Sequence, residues 1–286
     1  MEEIGAIIGK GFGTWRNNLN LCIPFLLSTA LSFLAMMPIL AALAVAIGPM
    51  QALNLTSLEN GQNLLAEMAG SLPSLIAAAA LSLLMLSLFS AFFTAGAIGM
   101  VREALETGKA TTNAMWSSGM KHFARMFLVS ILMGLAVVIG IVFLLPGIAL
   151  LPRPLQPEPQ AMGLLVVGSI LFILYALVIS LLLAVAPYAL VVDSTGAVKA
   201  MRASIDFFKY NKFDIFVLWL VVVALSLGMQ MIGSLSVGEN AGFQPLSVVV
   251  GLVNVLVLAP LSAVWWTRLY MVRKGMLKGG EVLDPW

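Results

Sequence analysis

Residues 126–151 read MFLVSILMGLAVVIGIVFLLPGIALL, an apolar stretch without a charged side chain. A helix rises 1.5 Å per residue, so this stretch is long enough to cross a hydrocarbon core of about 30 Å. A helix also satisfies its own backbone hydrogen bonds, and the stretch lacks the alternation of a barrel strand. It therefore predicts a transmembrane helix. Five similar stretches predict five more spans, at about residues 21–47, 73–101, 161–192, 215–235 and 246–267.

The composition agrees with a single integral membrane domain covering residues 1–286. The chain is 61% hydrophobic and only 10% charged, whereas soluble domains carry about 25% charged residues. Cys22 is the only cysteine, which excludes an internal disulfide and a thiolate metal site. The predicted fold class is all-α, a polytopic membrane bundle of six transmembrane helices.

The charged residues orient this bundle. Fourteen of the 15 Lys and Arg residues fall in every second connection and at the two termini, together with nine Asp and Glu residues. The alternate connections hold one basic residue, Arg153, and four acidic residues. The positive-inside rule then places both termini in the cytoplasm of a prokaryote, with the chain passing six times through the cell membrane. The N-terminus lacks the basic region and cleavage site of a signal peptide, so we expect the first span to be retained.

A short amphipathic segment precedes each odd-numbered span. Its apolar residues recur at helical spacing beside basic residues, which is typical of a helix lying in the headgroup layer. The expected architecture is three helical hairpins, each preceded by a cytoplasmic interfacial helix, in repeat-like units of about 1–110, 111–195 and 196–286. The sequence leaves open whether threefold pseudosymmetry relates the hairpins. The apolar residues of the three segments are Ile4, Ile8, Phe12 and Trp15; Trp116, Met120, Phe123 and Phe127; and Val198, Met201, Ile205 and Phe208.

The basic residues of these segments are the candidate contacts for lipid headgroups. Lys and Arg near the cytoplasmic surface attract anionic headgroups. Membrane lipids are therefore the expected partners, and membrane or cytoplasmic proteins are possible further partners. Nucleic acid is excluded as an expected partner, because the basic residues are divided among four segments that flank spans. The candidate residues are Arg16, Lys121, Arg125, Lys199, Arg202 and Lys209.

Gln230 and Asn254 are the most notable polar residues within the spans. They fall at similar depth on antiparallel neighbouring helices and could form a hydrogen bond. One interpretation is a polar point on a substrate pathway; the other is a contact that holds two helices together, worth about 0.6 kcal/mol.

Two further patterns concern helix shape. Pro187 and Pro260 lie at similar distances from the ends of even-numbered spans, which predicts equivalent bends. Ala91, Ala95 and Gly99 form a small-residue stripe, which predicts close helix contact.

No arrangement of residues indicates catalysis, a metal or a cofactor. His122 is the only histidine, and no acidic residue or cysteine converges on it in the sequence pattern. We expect it to be a polar residue at headgroup level. Asn54 begins a formal glycosylation sequon, but it lies close to the predicted membrane edge, and whether it is glycosylated is left open. The chain is expected not to be an enzyme.

Two segments carry a family resemblance. AGAIGMVREALETG (residues 95–108), continuing to FARMF (123–127), and APYALVVD (186–193), followed by AVKAMRAS (197–204), resemble the cytoplasmic turns of uncharacterised prokaryotic, often archaeal, membrane proteins. That family is similar to the membrane domain fused to some glycerophosphodiester phosphodiesterases. The resemblance implies six spans and a cell-membrane location, and it supplies no catalytic residues. The phosphodiesterase domain has no counterpart in this sequence.

Two functions therefore remain. The first is a lipid- or partner-binding membrane scaffold or subunit. The second is a transporter or permease for a small neutral or lipidic substrate. Coupling to ions or protons is disfavoured, because such pathways bury ionisable residues within the spans. The ligand and the oligomeric state are beyond the sequence.

Overall fold

The computed structural model describes residues 2–52, 58–150, 159–234 and 245–277, and these residues form helices without a β-strand. Short 3₁₀ segments cover Leu19–Cys22 and Ile139–Phe143, and a π-helical segment covers Asn254–Leu258. The α-helices are α1 (Ile4–Asn17), α2 (Ile23–Ala35), α3 (Met37–Ala52), α4 (Leu58–Thr107), α5 (Thr112–Val138), α6 (Leu145–Ala149), α7 (Pro159–Leu183), α8 (Ala186–Val192), α9 (Ala197–Tyr210), α10 (Lys212–Ser234), α11 (Pro245–Val253) and α12 (Ala259–Arg273).

Six of these helical stretches are long and apolar enough to cross a membrane, so the predicted all-α bundle is confirmed. The second and fourth predicted spans extend beyond the length that a bilayer requires, as expected. Asn54, Arg153 and Lys278 lie outside the described residues. The six stretches are Leu19–Val45, Leu72–Thr107, Thr112–Phe143, Gln160–Val192, Lys212–Gly233 and Val248–Arg273.

Most of the prolines within spans begin a new helical segment. Pro24, Pro146, Pro187 and Pro260 each occupy the first turn of a helix, where the missing N–H would have no partner in any case. The fourth and sixth spans thus each begin their last helical segment at such a proline. The equivalence of the two bends stays a prediction. Pro73 differs, because α4 begins at Leu58 and passes through it without a break.

The buried core lies at one end of the bundle. There the last turns of the second, fourth and sixth spans pack on one another, and every residue from Ala263 to Met271 of α12 is buried. Towards the other end the helices leave large apolar side chains exposed on several faces, as on α7 at Val166, Ile170 and Ile173. We call the packed end the basic end, because it comprises α1 and residues 102–125, 193–214 and 268–277, which carry the described Lys and Arg residues.

The amphipathic segments surround this core in a cyclic pattern. α9 packs on α8, the end of the preceding span, and the first half of α5 packs on α4 in the same way. α1 packs instead on α12, the end of the sixth span. The three segments thus hold corresponding places around three even-numbered spans, which supports a pseudo-threefold arrangement.

Corresponding positions of the three segments have corresponding environments. The fourth residue of each helix is buried, and the eighth is small and faces an even-numbered span. Space at the eighth position is limited by that span. At Gly11, for example, a Cβ would lie only 2.4 Å from Cδ1 of Trp265. The fourth residues are Ile7, Met115 and Ala200, and the eighth are Gly11, Gly119 and Ser204.

One predicted feature is wrong. The second amphipathic segment is not a separate interfacial helix, because α5 runs unbroken from Thr112 into the third span. α1 and α9 end at Asn18 and Asn211, whose side-chain amides each donate a hydrogen bond to the carbonyl four residues earlier. At the corresponding position α5 has Met126, which favours helix and offers no such competing hydrogen bond.

A basic cavity at the turn between α8 and α9

A cavity of the basic end lies at the turn formed by residues 193–196. It has a volume of about 590 Å³ and opens to the surface. Two of the six candidate headgroup residues, Arg125 of α5 and Lys199 of α9, are among its walls. The apolar side chains of Leu128 and Val198 complete one side of it and are themselves exposed.

The turn has a backbone conformation that favours glycine, although its central residue is Ser194. Ser194 has a φ of 52°, and the N–H of Thr195 donates to the carbonyl of Leu190 at 3.2 Å, which closes the end of α8. Nη1 of Arg125 donates to the carbonyl of Ser194 at 3.2 Å. An L-residue in this region costs about 1–2 kcal/mol, and such strain is concentrated at functional sites.

The start of α9 adds unsatisfied polar groups to the cavity. Gly196 caps the helix and contributes no side-chain acceptor, so the first-turn N–H groups face outward with the positive end of the helix dipole. Oγ1 of Thr195, another cavity residue, is buried and has no hydrogen-bond partner. Two cationic side chains, a helix N-terminus and a free hydroxyl therefore surround one space that suits an anion.

The corresponding turn of the first unit, residues 108–111, is closed by the protein itself. The carboxylate of Glu103 accepts hydrogen bonds at 2.8 Å from the N–H and the hydroxyl of Thr111, which caps α5. The side chain of Asn18 accepts from the N–H of Ala110 at 2.8 Å and donates to the carbonyl of Gly108 at 3.2 Å. Gly108 has a φ of 81°, as the position requires. In the first unit, a carboxylate thus caps the turn. In the 193–196 turn the carboxylate of Asp193 binds Tyr270 and Lys274 instead, and Asp193 does not line the cavity.

The remaining candidate cations also face outward. Arg16, Lys121, Arg202 and Lys209 are exposed, as are Arg125 and Lys199. Among these six residues, Lys209 forms an ion pair, with Asp206 at 2.9 Å, which partly compensates its charge. The hydrogen bond to Asp206 and the charge of Asp206 raise the pKa of Lys209. The structure brings together only Arg125 and Lys199, from different units.

A second cluster of charges holds the N-terminal residues in place. The sequence contains these acidic and basic residues, but no pattern in it predicts that they pair. Glu2 forms an ion pair with Arg268 at 3.1 Å and with Lys10 at 2.7 Å. Burial by itself would raise the pKa of Glu2, but the hydrogen bonds from Lys10 and Arg268 outweigh it and hold the pKa below its ordinary value of 4.5. The Arg268 side chain is only 3% exposed, so it is buried together with its counter-charge.

Polar contacts also fix the last turns of the even-numbered spans to one another. The hydroxyl of Tyr270 donates to Asp193 at 2.5 Å, and Lys274 contacts the same carboxylate at 3.3 Å. Arg102 donates to the carbonyl of Val192 at 3.1 Å. These contacts hold α4, α8 and α12 at fixed positions around the core, and with them the 193–196 turn.

Asn254 lines a smaller cavity within the membrane region. This cavity of about 150 Å³ lies between α10 and the π-helical segment, and Ser226 and Ser262 provide its other polar side chains. Gln230 is exposed on α10, and no hydrogen bond joins it to Asn254 in the described structure. The carbonyl of Leu256 in the π segment accepts from Nε1 of Trp15 at 3.2 Å and from Sγ of Cys22 at 3.0 Å, which accounts for the local change of helix pitch.

His122, which we expected to be a polar residue at headgroup level, is buried within the basic end. It lies on the face of α5 that packs against the core, is 3% exposed, and its Nδ1 has no partner. Within the described ranges, no three His, Cys, Asp or Glu side chains converge in a way that could hold a metal ion.

The sequence is similar to other proteins over most of its length. A family model described as "Domain of unknown function (DUF7847)" matches residues 23–271. An "Uncharacterized protein" of Archaeoglobus fulgidus is 25% identical over 97% of this chain and 98% of its own length. No solved structure matches.

Proposed function

We propose, from the premise that this chain belongs to the DUF7847 family, that it is a non-catalytic membrane protein which binds anionic lipids at its basic end. In this role it serves as a scaffold, or as a subunit that holds membrane or cytoplasmic protein partners at the lipid surface. The basic end lies on the cytoplasmic side of a prokaryotic cell membrane, with both termini in the cytoplasm.

One observation carries this proposal. All six basic residues expected to contact headgroups are exposed at the same end of the bundle, on helices whose opposite faces are buried against the core. Their positions are thus fixed by packing. A rigid ring of cations at the membrane surface attracts anionic headgroups by about 1 kcal/mol for each Lys or Arg.

The distribution of charge along the chain supports the proposed orientation. Fourteen of the 15 Lys and Arg residues belong to connections or termini on one side of the six-span topology. Basic residues are retained on the cytoplasmic side during insertion. The archaeal relative agrees with a prokaryotic membrane. We further propose that the family is related to the membrane domain of glycerophosphodiester phosphodiesterases, on the strength of the shared pattern of its two basic turns.

The proposal is tested by reconstituting the full chain in nanodiscs that contain equal amounts of phosphatidylglycerol and phosphatidylcholine. After mild extraction, native mass spectrometry should detect mainly phosphatidylglycerol on the protein. A variant with Arg16, Lys121, Lys199 and Arg202 all replaced by Gln should lose most of this preference. Equal retention of the two lipids by the unaltered protein would contradict the proposal.

A second candidate function is transport of a small neutral solute, and the cavity at Asn254 favours it. A π-helical segment beside a polar cavity is often found at functional sites. Asn254→Leu should abolish uptake of such a solute into proteoliposomes, and Gln230→Leu, outside the cavity, should leave the uptake unchanged. Uptake that is the same with and without the protein, across a panel of small polyols and amides, would exclude this function.

A further inference from the structure

We infer that the cavity at the 193–196 turn is a binding site for a single anionic phospholipid, with its phosphate between Arg125, Lys199 and the start of α9. This inference rests on the proposed function and makes it more specific. It assigns one lipid to one place, where the general proposal requires only a charged surface.

The first argument comes from the repeat within the chain. In the first unit the turn before the amphipathic segment is neutralised by the carboxylate of Glu103, which accepts two hydrogen bonds from Thr111. In the second unit the corresponding residue is Tyr188, which stacks on Trp266, and no carboxylate is among the residues lining the cavity. The position that an internal anion fills in one unit is thus open and surrounded by positive charge in the other.

The second argument comes from the groups that face the cavity. Arg125 uses Nη1 for the Ser194 carbonyl, and the other terminal nitrogen of its guanidinium makes no recorded hydrogen bond in the described structure. Lys199 forms no ion pair among the described residues, in contrast to Lys209. The buried Oγ1 of Thr195 has no partner. A phosphate, with several acceptor oxygens, would provide acceptors for all three.

The third argument concerns size and polarity, which favour a lipid over free phosphate. A space of about 590 Å³ is much larger than a phosphate ion requires, and it can hold a glycerol backbone as well. Leu128 and Val198, 46% and 54% exposed, form an apolar side that suits the first carbons of hydrocarbon chains.

The test uses delipidated full-length protein in detergent, to which phosphatidylglycerol is added and counted by native mass spectrometry. We expect one tight phosphatidylglycerol per chain. Lys199→Gln should weaken it about fivefold, the effect of one cation near a headgroup, and Arg125→Gln at least as much. Thr195→Val keeps the charge and the side-chain shape, and it should weaken the binding about threefold through loss of one hydrogen bond.

Lys212→Gln is the matched control, because Lys212 is an exposed lysine at the start of α10, outside the cavity and outside the six candidate headgroup residues. It should change the binding of the tight lipid by less than twofold. If Lys212→Gln weakens binding as much as Lys199→Gln, and Thr195→Val has no effect, the lipid binds to a diffuse charged surface; the site inference then fails and the proposed function remains. If phosphatidylglycerol binds no better than phosphatidylcholine, both fail.

A competition experiment with inorganic phosphate distinguishes a site for a phospholipid headgroup from a site for a free phosphate ion. At a concentration of phosphate that matches the lipid, we expect the tight phosphatidylglycerol to remain bound. Displacement of the lipid by inorganic phosphate at that concentration would overturn the assignment to a phospholipid.

Arg125→Gln also removes the hydrogen bond to Ser194, so its melting temperature must be compared with that of the unaltered protein. Lys199→Gln and Thr195→Val remove no recorded contact and keep the inference testable if Arg125→Gln fails to fold.

Discussion

Glu2 and Arg268 lie 266 residues apart in the sequence and form an ion pair at 3.1 Å, with their side chains only 10% and 3% exposed. Lys10 of α1 contacts the same carboxylate at 2.7 Å. Since Arg268 belongs to the last span, this pair closes the ring of three amphipathic segments around the core. The closure depends on charge as well as on packing.

Removing the charge of Glu2 should destabilise the protein. Glu2→Gln leaves Arg268 buried without its counter-charge, and breaking a buried pair costs about 3–5 kcal/mol. We expect a loss of stability in the lower part of this range, because Lys10, which binds the same carboxylate, is exposed to solvent. The melting temperature in detergent, measured at pH 7, should therefore fall, and Glu3→Gln serves as the control.

The same substitution has a defined pH dependence. The pKa of Glu2 is lowered in the folded protein, so its contribution to stability is complete above its ordinary value of 4.5 and is lost as the pH falls through the folded value. The difference in melting temperature between Glu2→Gln and the unaltered protein should be constant from about pH 6 to pH 8 and should shrink below about pH 4.5. A difference that grows on acidification would contradict the ion pair.

Gly11 is the position at which α1 approaches α12 most closely. A Cβ there would lie 2.4 Å from Cδ1 and 2.8 Å from Nε1 of Trp265, whose indole N–H donates to the carbonyl of Ile8 at 3.0 Å. Gly11→Ala should cost about 1–3 kcal/mol by overpacking this contact. Gly9→Ala, on the same helix with nothing within 4 Å, should instead stabilise by up to about 1 kcal/mol through helix propensity. Thermal unfolding of the two variants should move in opposite directions.

Ser194 and Gly275 occupy equivalent left-handed turns after the fourth and sixth spans, with φ values of 52° and 70°. Ser194→Gly should stabilise the protein by about 1 kcal/mol, because glycine adopts this conformation without strain. Gly275→Ala should destabilise it by a similar amount. Equal melting temperatures for all three proteins would mean that the turns are not held in this conformation.

The proposed orientation predicts which connections are reachable from outside the cell. In a Cys22→Ser background, a membrane-impermeant maleimide added to intact cells should label Arg153→Cys but not Lys109→Cys. Disruption of the membrane should expose Lys109→Cys to the reagent. Labelling of both cysteines in intact cells would refute the six-span orientation.

The sequence predicts the spans and the exposed cations well, because both depend on composition and periodicity. Hydropathy locates each helix, and the stripe of Ala91, Ala95 and Gly99 correctly indicates close contact: Ser118 donates to the carbonyl of Ala95 at 2.9 Å. Helical spacing likewise identifies the amphipathic segments. These features follow from neighbours in the sequence, which pattern analysis can compare.

The site itself depends on contacts between distant residues, which the pattern does not contain. Arg125 and Lys199 belong to different units and meet only because α5 passes the 193–196 turn. His122 has the sequence context of an exposed residue and is buried because its helix continues into the span. The predicted separation between the second amphipathic segment and the third span is absent, because Met126 stands where the other two segments end in asparagine.

The contact between α1 and α12 also has a consequence for biosynthesis. α1 is translated before α12, which contains Trp265 and Arg268, the residues that hold the N-terminal segment. At about 5–20 residues per second, the 257 residues between Ile8 and Trp265 require on the order of 13–50 s. During that interval the end of α1 can bond to residues 108–110 through Asn18, but its contacts with α12 form only after that helix has been synthesised.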